Sequence, residues 1–342
     1  MMDSPTLSVM TIAKGSCLFL EETLASILRQ TFTDFEWVIV DGGVAEPAKS
    51  LLLQYASLDR RIRILKQIDP GLSPARNQAF AMSTGKYCAI TDSDDLSLPN
   101  RFKKQVDFLE RHPDISLCGS WLRTIGGKNN EIRKTPVADA AIRASLVFNS
   151  PIAHSTVMWR RQDILNTGLH YELDSAEDYD LWCRLSRTIH FANLPEVLVL
   201  YRIHPEQHSN LTEKNGVFFK NTLRIRLNQL RTLKIEPTEQ EIDIHQKISL
   251  GQFQKDDAFL KKAEAWLLKL RIANYKQQIY PEPQFKQYLG TQWYWICLRV
   301  KSAKNIPMRY LNSPIHRDLD AGGLHRIKFV LRFMRLFISC RG

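Results

Sequence analysis

The chain lacks the marks of several protein classes. Its six cysteines are scattered at Cys17, Cys88, Cys118, Cys183, Cys297 and Cys340, with no CxxC pair and no Cys/His cluster. That spacing offers no structural zinc site, and reduced thiols in a cytosolic protein are the economical expectation. No stretch approaches the roughly 20 apolar residues of a membrane span. The start, Met-Met-Asp-Ser-Pro, has neither a basic n-region nor a long apolar segment, so no secretory leader is expected. Internal repeats and low-complexity linkers are also missing. What remains is an ordinary globular balance, 44% hydrophobic and 24% charged over 342 residues, enough for about two domains.

Acidic residues are scarce in one region only. Residues 1–210 carry 23 Lys/Arg and 25 Asp/Glu, whereas residues 211–342 carry 24 and 11. A near-neutral first part joined to a basic last part suggests two jobs.

The first part alternates short apolar runs with helical periodicity. LSVMTIA at 7–13, FEWVIV at 35–40, residues 62–65, YCAIT at 87–91 and residues 115–121 read as strands. Between them, 19–30, 47–57, 73–82 and 100–111 read as helices, with Ser73 a natural N-cap and Pro74 at the first helical position. This alternation predicts an α/β fold with a mostly parallel sheet and helices on both faces. Ligands in such sheets bind beyond the carboxyl ends of the strands. Asp41 and the Asp92–Asp95 cluster both fall at strand ends, and so on one edge.

Asp92, Asp94 and Asp95 lie within four residues. In an extended segment Asp92 and Asp94 would point the same way. They would suit a hard divalent cation whose shell is completed by phosphate oxygens. The equal alternative is a solvated turn capping the next helix. Glu177-Asp178-Tyr179-Asp180 reads as a helix's first turn, where the dipole favours acids, and a general base is the functional alternative. Arg76 suits bidentate phosphate binding or a plain surface position. His154, His204 and His208 are metal ligands, phosphate donors or ordinary hydrogen-bonding side chains.

Seven segments in order carry a resemblance: LSVMTIAKGS, SILRQTFTDFEWVIVDGG, GLSPARNQAF, GKYCAITDSDDLSLPNRFKKQVDFLERHPDI, NSPIAHSTVMWRR, AEDYDLWCRL and VLVLYRIHPEQHS. Together they resemble the family 2 glycosyltransferases, which have the GT-A fold, over roughly residues 6–210. The resemblance implies a GT-A catalytic domain at 1–210, with a donor half at about 1–96 and an acceptor half at about 97–210. It implies a nucleotide-diphosphate sugar donor, most readily a UDP-sugar, and Mn²⁺ or Mg²⁺ as cofactor. Ala13, Asp41, Arg76 and Asp92 would line the donor nucleotide. Asp92 and Asp94 would form the DxD motif, with Asp94 the direct metal ligand and His204 a further contact. Asp95 would shape the donor-sugar site. Asp178 would be the catalytic base beside Glu177, with His154 and Trp182 on the acceptor side. One departure is Asp41-Gly42-Gly43-Val44, where family members often carry Asp-Asp-Gly-Ser.

The region 211–342 reads as helical, with a capping box at Thr238–Glu241. Its end, LHRIKFVLRFMRLFISCRG at 324–342, has five Lys/Arg, no acid and two apolar stripes at helical spacing. An interfacial helix on an anionic membrane is the expectation, with packing on the domain or on another subunit the alternative. No zinc finger or RNP-like motif accompanies the charge, so nucleic acid is not an expected partner.

The combined expectation is an inverting, metal-dependent glycosyltransferase. It would act on a hydroxyl of a glycan or lipid-linked acceptor in bacterial surface-polysaccharide or lipopolysaccharide synthesis. It would sit in the cytoplasm, peripherally at the inner face of the plasma membrane. A sugar-nucleotide pyrophosphorylase-like enzyme is the competing reading, but only Lys14-Gly15-Ser16 follows the first strand where that reading needs a Gly-rich basic loop. A non-enzymatic membrane scaffold of the same fold predicts decay of the acidic sites, yet Asp92, Asp94 and Asp178 all stand.

Overall fold

The computed structural model describes residues 4–127, 130–300 and 306–316. The 324–342 segment, and the membrane contact expected of it, lies outside the described residues. Contacts divide the chain into two units, Met1–Ile142 with Ser150–Thr222, and Arg143–Asn149 with Leu223–Gly342.

The first unit is built on one sheet. Its strands are β1 (Leu7–Gly15), β2 (Phe35–Val44), β3 (Ile62–Lys66), β4 (Tyr87–Ile90), β5 (Leu96–Ser97), β6 (Leu117–Ile125), β7 (Ile132–Arg133), β8 (Met158–Arg160) and β9 (Phe191–Arg202). They are ordered β3-β2-β1-β4-β8-β6-β9-β5, with β7 beside β6. Strands β3, β2, β1 and β4 pair parallel. Strand β8 then pairs antiparallel with both β4 and β6, and β6 pairs parallel with β9. Two reversals restore the direction, so β6 and β9 run the same way as β1 to β4. The sheet is therefore mostly parallel, with short β5, β7 and β8 opposed.

The sequence explains why these segments are central. Leu7, Val9 and Ala13 of β1 and Trp37 to Val40 of β2 are fully buried, as expected for strands covered on both faces. The helices that accompany these strands are α1 (Leu20–Leu28), α2 (Ala48–Leu58), α3 (Leu72–Ala81) and α4 (Arg101–Arg111), followed by α5 (Asp139–Ser145), α6 (Arg161–Thr167), α7 (Glu177–Leu185) and α8 (His208–Lys214). Leu20, Leu24 and Ile27 of α1, Leu52 of α2, and Phe102, Val106 and Leu109 of α4 pack into one core with β1 and β2. Each such side chain contributes about 1.5–3 kcal/mol when taken from water.

Helix α3 departs from expectation at its start. Its N-cap is Gly71, at φ 114, and Ser73 lies inside the helix. The cap comes from elsewhere in the chain, as described below. In the region read as helical from 211 on, α9 (Val217–Thr232) follows a break at Asn215–Gly216, where Gly216 takes φ 71.

Helices α10 (Glu239–Leu250), α11 (Asp257–Gln277), α12 (Glu282–Arg299) and α13 (Ile306–Asn312) make up most of the described second unit. Its core holds Trp266, Leu267, Leu270, Phe285, Leu289, Trp293 and Ile296. The expected capping box is formed, with Glu241 N–H donating to Thr238 Oγ1 at 3.3 Å and Thr238 N–H donating to Glu241 Oε2 at 2.9 Å. His245 is buried within this unit, between Trp266 Nε1, which donates to its Nδ1 at 3.1 Å, and the Val147 carbonyl, 3.1 Å from its Nε2. Those contacts fix the Nε2–H tautomer. Burial, with the Arg226 charge, pushes its pKa down to about 3.

Candidate functional site

Because β1, β2 and β4 are parallel, Ala13, Asp41 and Asp92 come to one sheet edge. Ala13 is buried in β1 and registers with Asp41 in β2. The β2 strand bends through Gly42 and Gly43 instead of ending at Val40. Asp41 Oδ1 accepts the N–H groups of Gly43 and Val44, each at 2.8 Å, and Lys49 Nζ lies 3.9 Å from Oδ2. The carboxylate thus holds its own turn together, as short acidic side chains do.

The acidic cluster does not adopt the extended form that would point Asp92 and Asp94 the same way. Residues Ser93 and Asp94 form a turn, and Asp95 N–H donates to the Asp92 carbonyl at 3.4 Å. Turning the backbone sends the three carboxylates to three sets of partners. Asp92 Oδ1 lies 3.8 Å from Arg76 Nη2 and 3.9 Å from His154 Nδ1. Asp94 Oδ2 is 2.9 Å from His204 Nε2. Asp95 is buried, and its Oδ1 accepts Arg202 N–H at 2.9 Å. Asp92, Asp94 and His204 are consequently not gathered into a three-ligand cluster. Among the described residues no group of three His, Cys, Asp or Glu side chains is placed to hold a metal ion.

Burial and neighbouring charge shift these groups in different directions. Burial pushes the Asp94 and Asp95 carboxyls up, and the neighbouring acids push them further. Burial acts on Asp92 too, but the His154 ring and the Arg76 and Arg101 charges outweigh it and hold that carboxyl below its usual value. His154 is lowered by burial and by Arg76, against the pull of Asp92.

Arg101 is the residue that sequence reasoning missed. It opens α4, is 1% exposed, and donates to the Ile90 carbonyl (2.7 Å), Ser97 Oγ (2.9 Å) and Gln105 Oε1 (3.0 Å). It sits beneath the acidic turn as a buried countercharge. A signal was available: a cation at a helix N-terminus opposes the dipole, and here the helix is the one that follows the acidic cluster. Arg202 was also missed. Its backbone binds Asp95, and its guanidinium donates to the Asp94 carbonyl at 3.1 Å.

On the other flank, Arg76 of α3 pairs with Glu177 at the start of α7. Asp178, the next residue, remains half-buried. Its Oδ1 accepts Tyr179 N–H at 2.7 Å, and Ser150 Oγ donates to its Oδ2 at 3.4 Å. His154 Nε2 lies 2.9 Å from Tyr171 Oη, and its ring stacks on Trp182 at 6.2 Å. Trp182 is fully buried and donates to the Ile152 carbonyl at 3.3 Å. A small cavity at the sheet edge is lined by Met10, Ile12, Arg76, Asp92, His154 and Tyr171. The structure therefore brings Arg76, Asp92, His154 and Glu177 together, and Asp94 with His204. It places Asp41 near the end of β2, with β1 between it and β4, and Trp182 as packing behind His154.

A family model described as glycosyl transferase family 2 matches residues 8–169. The O-antigen biosynthesis glycosyltransferase WbnJ of Escherichia coli is 33% identical over 191 residues, 54% of this chain and 75% of that one. The chain belongs to glycosyltransferase family 2. A second E. coli relative, a UDP-Gal:alpha-D-GlcNAc-diphosphoundecaprenol beta-1,3-galactosyltransferase, is 29% identical over 215 residues, 60% of this chain and 76% of that one. Among solved structures, S. aureus TarS 1–349 in complex with UDP-GlcNAc superposes with a TM-score of 0.54 at 16% identity, covering 98% of this chain and 91% of that one. That likeness establishes the GT-A fold. Membership in the family makes the chain a glycosyltransferase and weighs against the pyrophosphorylase and scaffold readings.

Proposed function

We propose that this glycosyltransferase moves a sugar from a nucleotide-diphosphate donor to a hydroxyl of a glycan or lipid-linked acceptor, with inversion, in bacterial cell-surface polysaccharide synthesis. The observation that carries the reading is the acidic turn at the sheet edge. It presents Asp92 toward Arg76 and Asp94 toward His204, next to the Glu177-Asp178 start of α7. The relatives' O-antigen and diphosphoundecaprenol chemistry supports the acceptor class, and UDP is the favoured nucleotide.

The residues fit a divalent cation of the Mn²⁺ or Mg²⁺ kind. Asp94 and His204 supply one carboxylate and one imidazole already in contact, and such ions take one or two protein carboxylates and complete their shell with substrate phosphates and water. When bound, the ion would offset the charge developing on the diphosphate leaving group. Arg76 supplies a second positive charge at the same edge. Asp178 is the base. Glu177 is tied to Arg76, whereas Asp178 keeps a partly exposed carboxylate with only the weaker Ser150 contact at Oδ2. The acceptor oxygen attacks the anomeric carbon, and its proton passes to Asp178. The new C–O bond forms as the bond to phosphate breaks, and the nucleoside diphosphate leaves with the electron pair.

The protein acts at the cytoplasmic face of the membrane as a peripheral protein. Among the described residues no helix is long and apolar enough to cross a membrane. The five Lys/Arg of 324–342 supply the charge for an anionic surface.

The test is a donor panel. Purified protein is mixed with Mn²⁺ or Mg²⁺ and UDP-, GDP- and dTDP-sugars, and nucleotide release is read with and without EDTA beside Asp94→Ala. Metal-dependent release from one donor, lost in the variant, is the expected result. No release combined with no metal-dependent nucleotide binding would sink the proposal.

A further inference from the structure

The loop leading into Glu177 and Asp178 is bound along helix α3 by contacts that the donor chemistry does not require. Ser73 N–H, in the first turn of α3, donates to Asp174 Oδ1 at 2.9 Å. Ser73 Oγ donates to the Leu173 carbonyl. One turn further on, Asn77 uses both ends of its amide: Nδ2 donates to the Tyr171 carbonyl at 2.9 Å, and Oδ1 accepts Tyr171 N–H at 3.0 Å. Between them the Arg76 guanidinium lies 5.6 Å from the Tyr171 ring centroid. Gly71 makes room: it sits at φ +114, and a Cβ there would fall 2.9 Å from Asp174 Oδ2.

These contacts explain the GLSPARN segment. The helix N-terminus is satisfied by an acid from about 100 residues away, which suits both its orphan N–H groups and its dipole. The far side of the loop is also tied. Arg184 donates to the His170 carbonyl at 2.7 Å and pairs with Glu172 at 3.2 Å, while Asn221 Nδ2 donates to the Ser175 carbonyl at 2.9 Å. The segment so held ends in Ala176, a non-glycine residue at φ 56, immediately before Glu177. A left-handed alanine persists only where its surroundings over-determine it.

We infer that Asp174, Ser73 and Asn77 form a latch that fixes the 171–176 loop on α3 and so positions Asp178 relative to the donor pocket. They are positioning residues. The inference rests on the reading of Asp178 as the base. Helix α3 carries Arg76 on the donor side, and the latch makes that helix the ruler against which the base is set.

The test uses the full chain and whichever of UDP, GDP and dTDP binds it most tightly in the presence of Mn²⁺. Asp174→Ala and Asn77→Ala are compared with wild type, with Asp174→Asn as the conservative variant whose side-chain oxygen still accepts from Ser73. Amide exchange in the 170–178 peptide should speed up about tenfold in both alanine variants. Donor turnover should fall on the order of tenfold to a hundredfold, with the nucleotide dissociation constant held within about twofold. Asp174→Asn should recover most of both. Unchanged exchange and turnover in Asp174→Ala would overturn the latch. So would a loss of nucleotide affinity in step with turnover, which would assign the contacts to the donor pocket. Asp178→Asn runs alongside: full turnover there would remove the base reading, while the exchange data would still judge the latch.

Discussion

His204 Nε2 lies 2.9 Å from Asp94 Oδ2, across 110 residues of sequence. The contact joins the end of β9 to the acidic turn after β4. It gives Asp94 a hydrogen-bond donor in the Nε2–H tautomer of the ring and sets an imidazole beside the carboxylate. Asp94→Ala is expected to abolish Mn²⁺-dependent nucleotide binding. His204→Ala should weaken it by about tenfold, the usual range for loss of a supporting metal contact. Calorimetric titration of nucleotide with and without EDTA measures both. EDTA-insensitive binding by the wild-type protein would remove the metal from the donor site.

Arg101 makes a different kind of prediction. Its guanidinium is buried, donates to four acceptors, the Val157 carbonyl at 3.4 Å among them, and faces the Asp92 and Asp95 charges. Burial lowers its pKa to about 10, so it stays charged at neutral pH. Arg101→Met leaves the Ile90 carbonyl without its guanidinium donor and takes one buried countercharge from Asp92 and Asp95, and should cost about 3–5 kcal/mol of stability. Urea denaturation gives the number. A cost under about 1 kcal/mol would mean that the acidic turn does not depend on this cation.

The second unit carries an acid-sensitive group. His245 has its folded pKa depressed to about 3, from an ordinary value near 6.5, chiefly by burial. Below pH 6.5 the unfolded chain takes up a proton that the folded chain refuses until about pH 3. Stability from this group is therefore complete above pH 6.5 and lost as pH falls through that window, by several kcal/mol in all. His245→Gln cannot take up that proton. Hydrogen exchange of α10 and α11 at pH 7 and pH 4.5 should show a steep acid loss in wild type and a shallower one in the variant. Parallel losses would show that the acid sensitivity lies elsewhere.

How much of this was legible in the sequence follows from which contacts are local. Asp41 and Asp92 could be set on one edge because buried parallel strands read as near-continuous apolar runs, and LSVMTIA, FEWVIV and YCAIT do. The Thr238 capping box was legible because its partners are three residues apart. The cap of α3 was not. Ser73 has the composition of an N-cap, but Asp174 approaches from a distant loop and Gly71 takes the capping position. The direction of each acid in the 92–95 turn depends on Arg76, on His154, and on Arg202 and His204 at the end of β9, contributed by three separate segments. Nor does chain order reveal that β8, a three-residue strand, lies between β4 and β6.

Asp41 separates a structural role from a recognition role. Its Oδ1 already accepts two N–H groups from its own turn, while Oδ2 faces Lys49 at 3.9 Å. Asp41→Ala removes both turn bonds, at a cost of about 1–3 kcal/mol. Asp41→Asn keeps one oxygen for the turn and replaces the other with an NH₂ group, so stability should stay within about 0.5 kcal/mol of wild type. If the carboxylate also receives an N–H of the nucleotide base through Oδ2, the same variant should lose about tenfold in UDP affinity, because a donor then meets a donor. Denaturation and nucleotide titration on the two variants resolve the question together. Asp41→Asn with wild-type affinity would leave Asp41 as the former of the Gly42-Gly43 turn, and the base would be read by other groups on this edge.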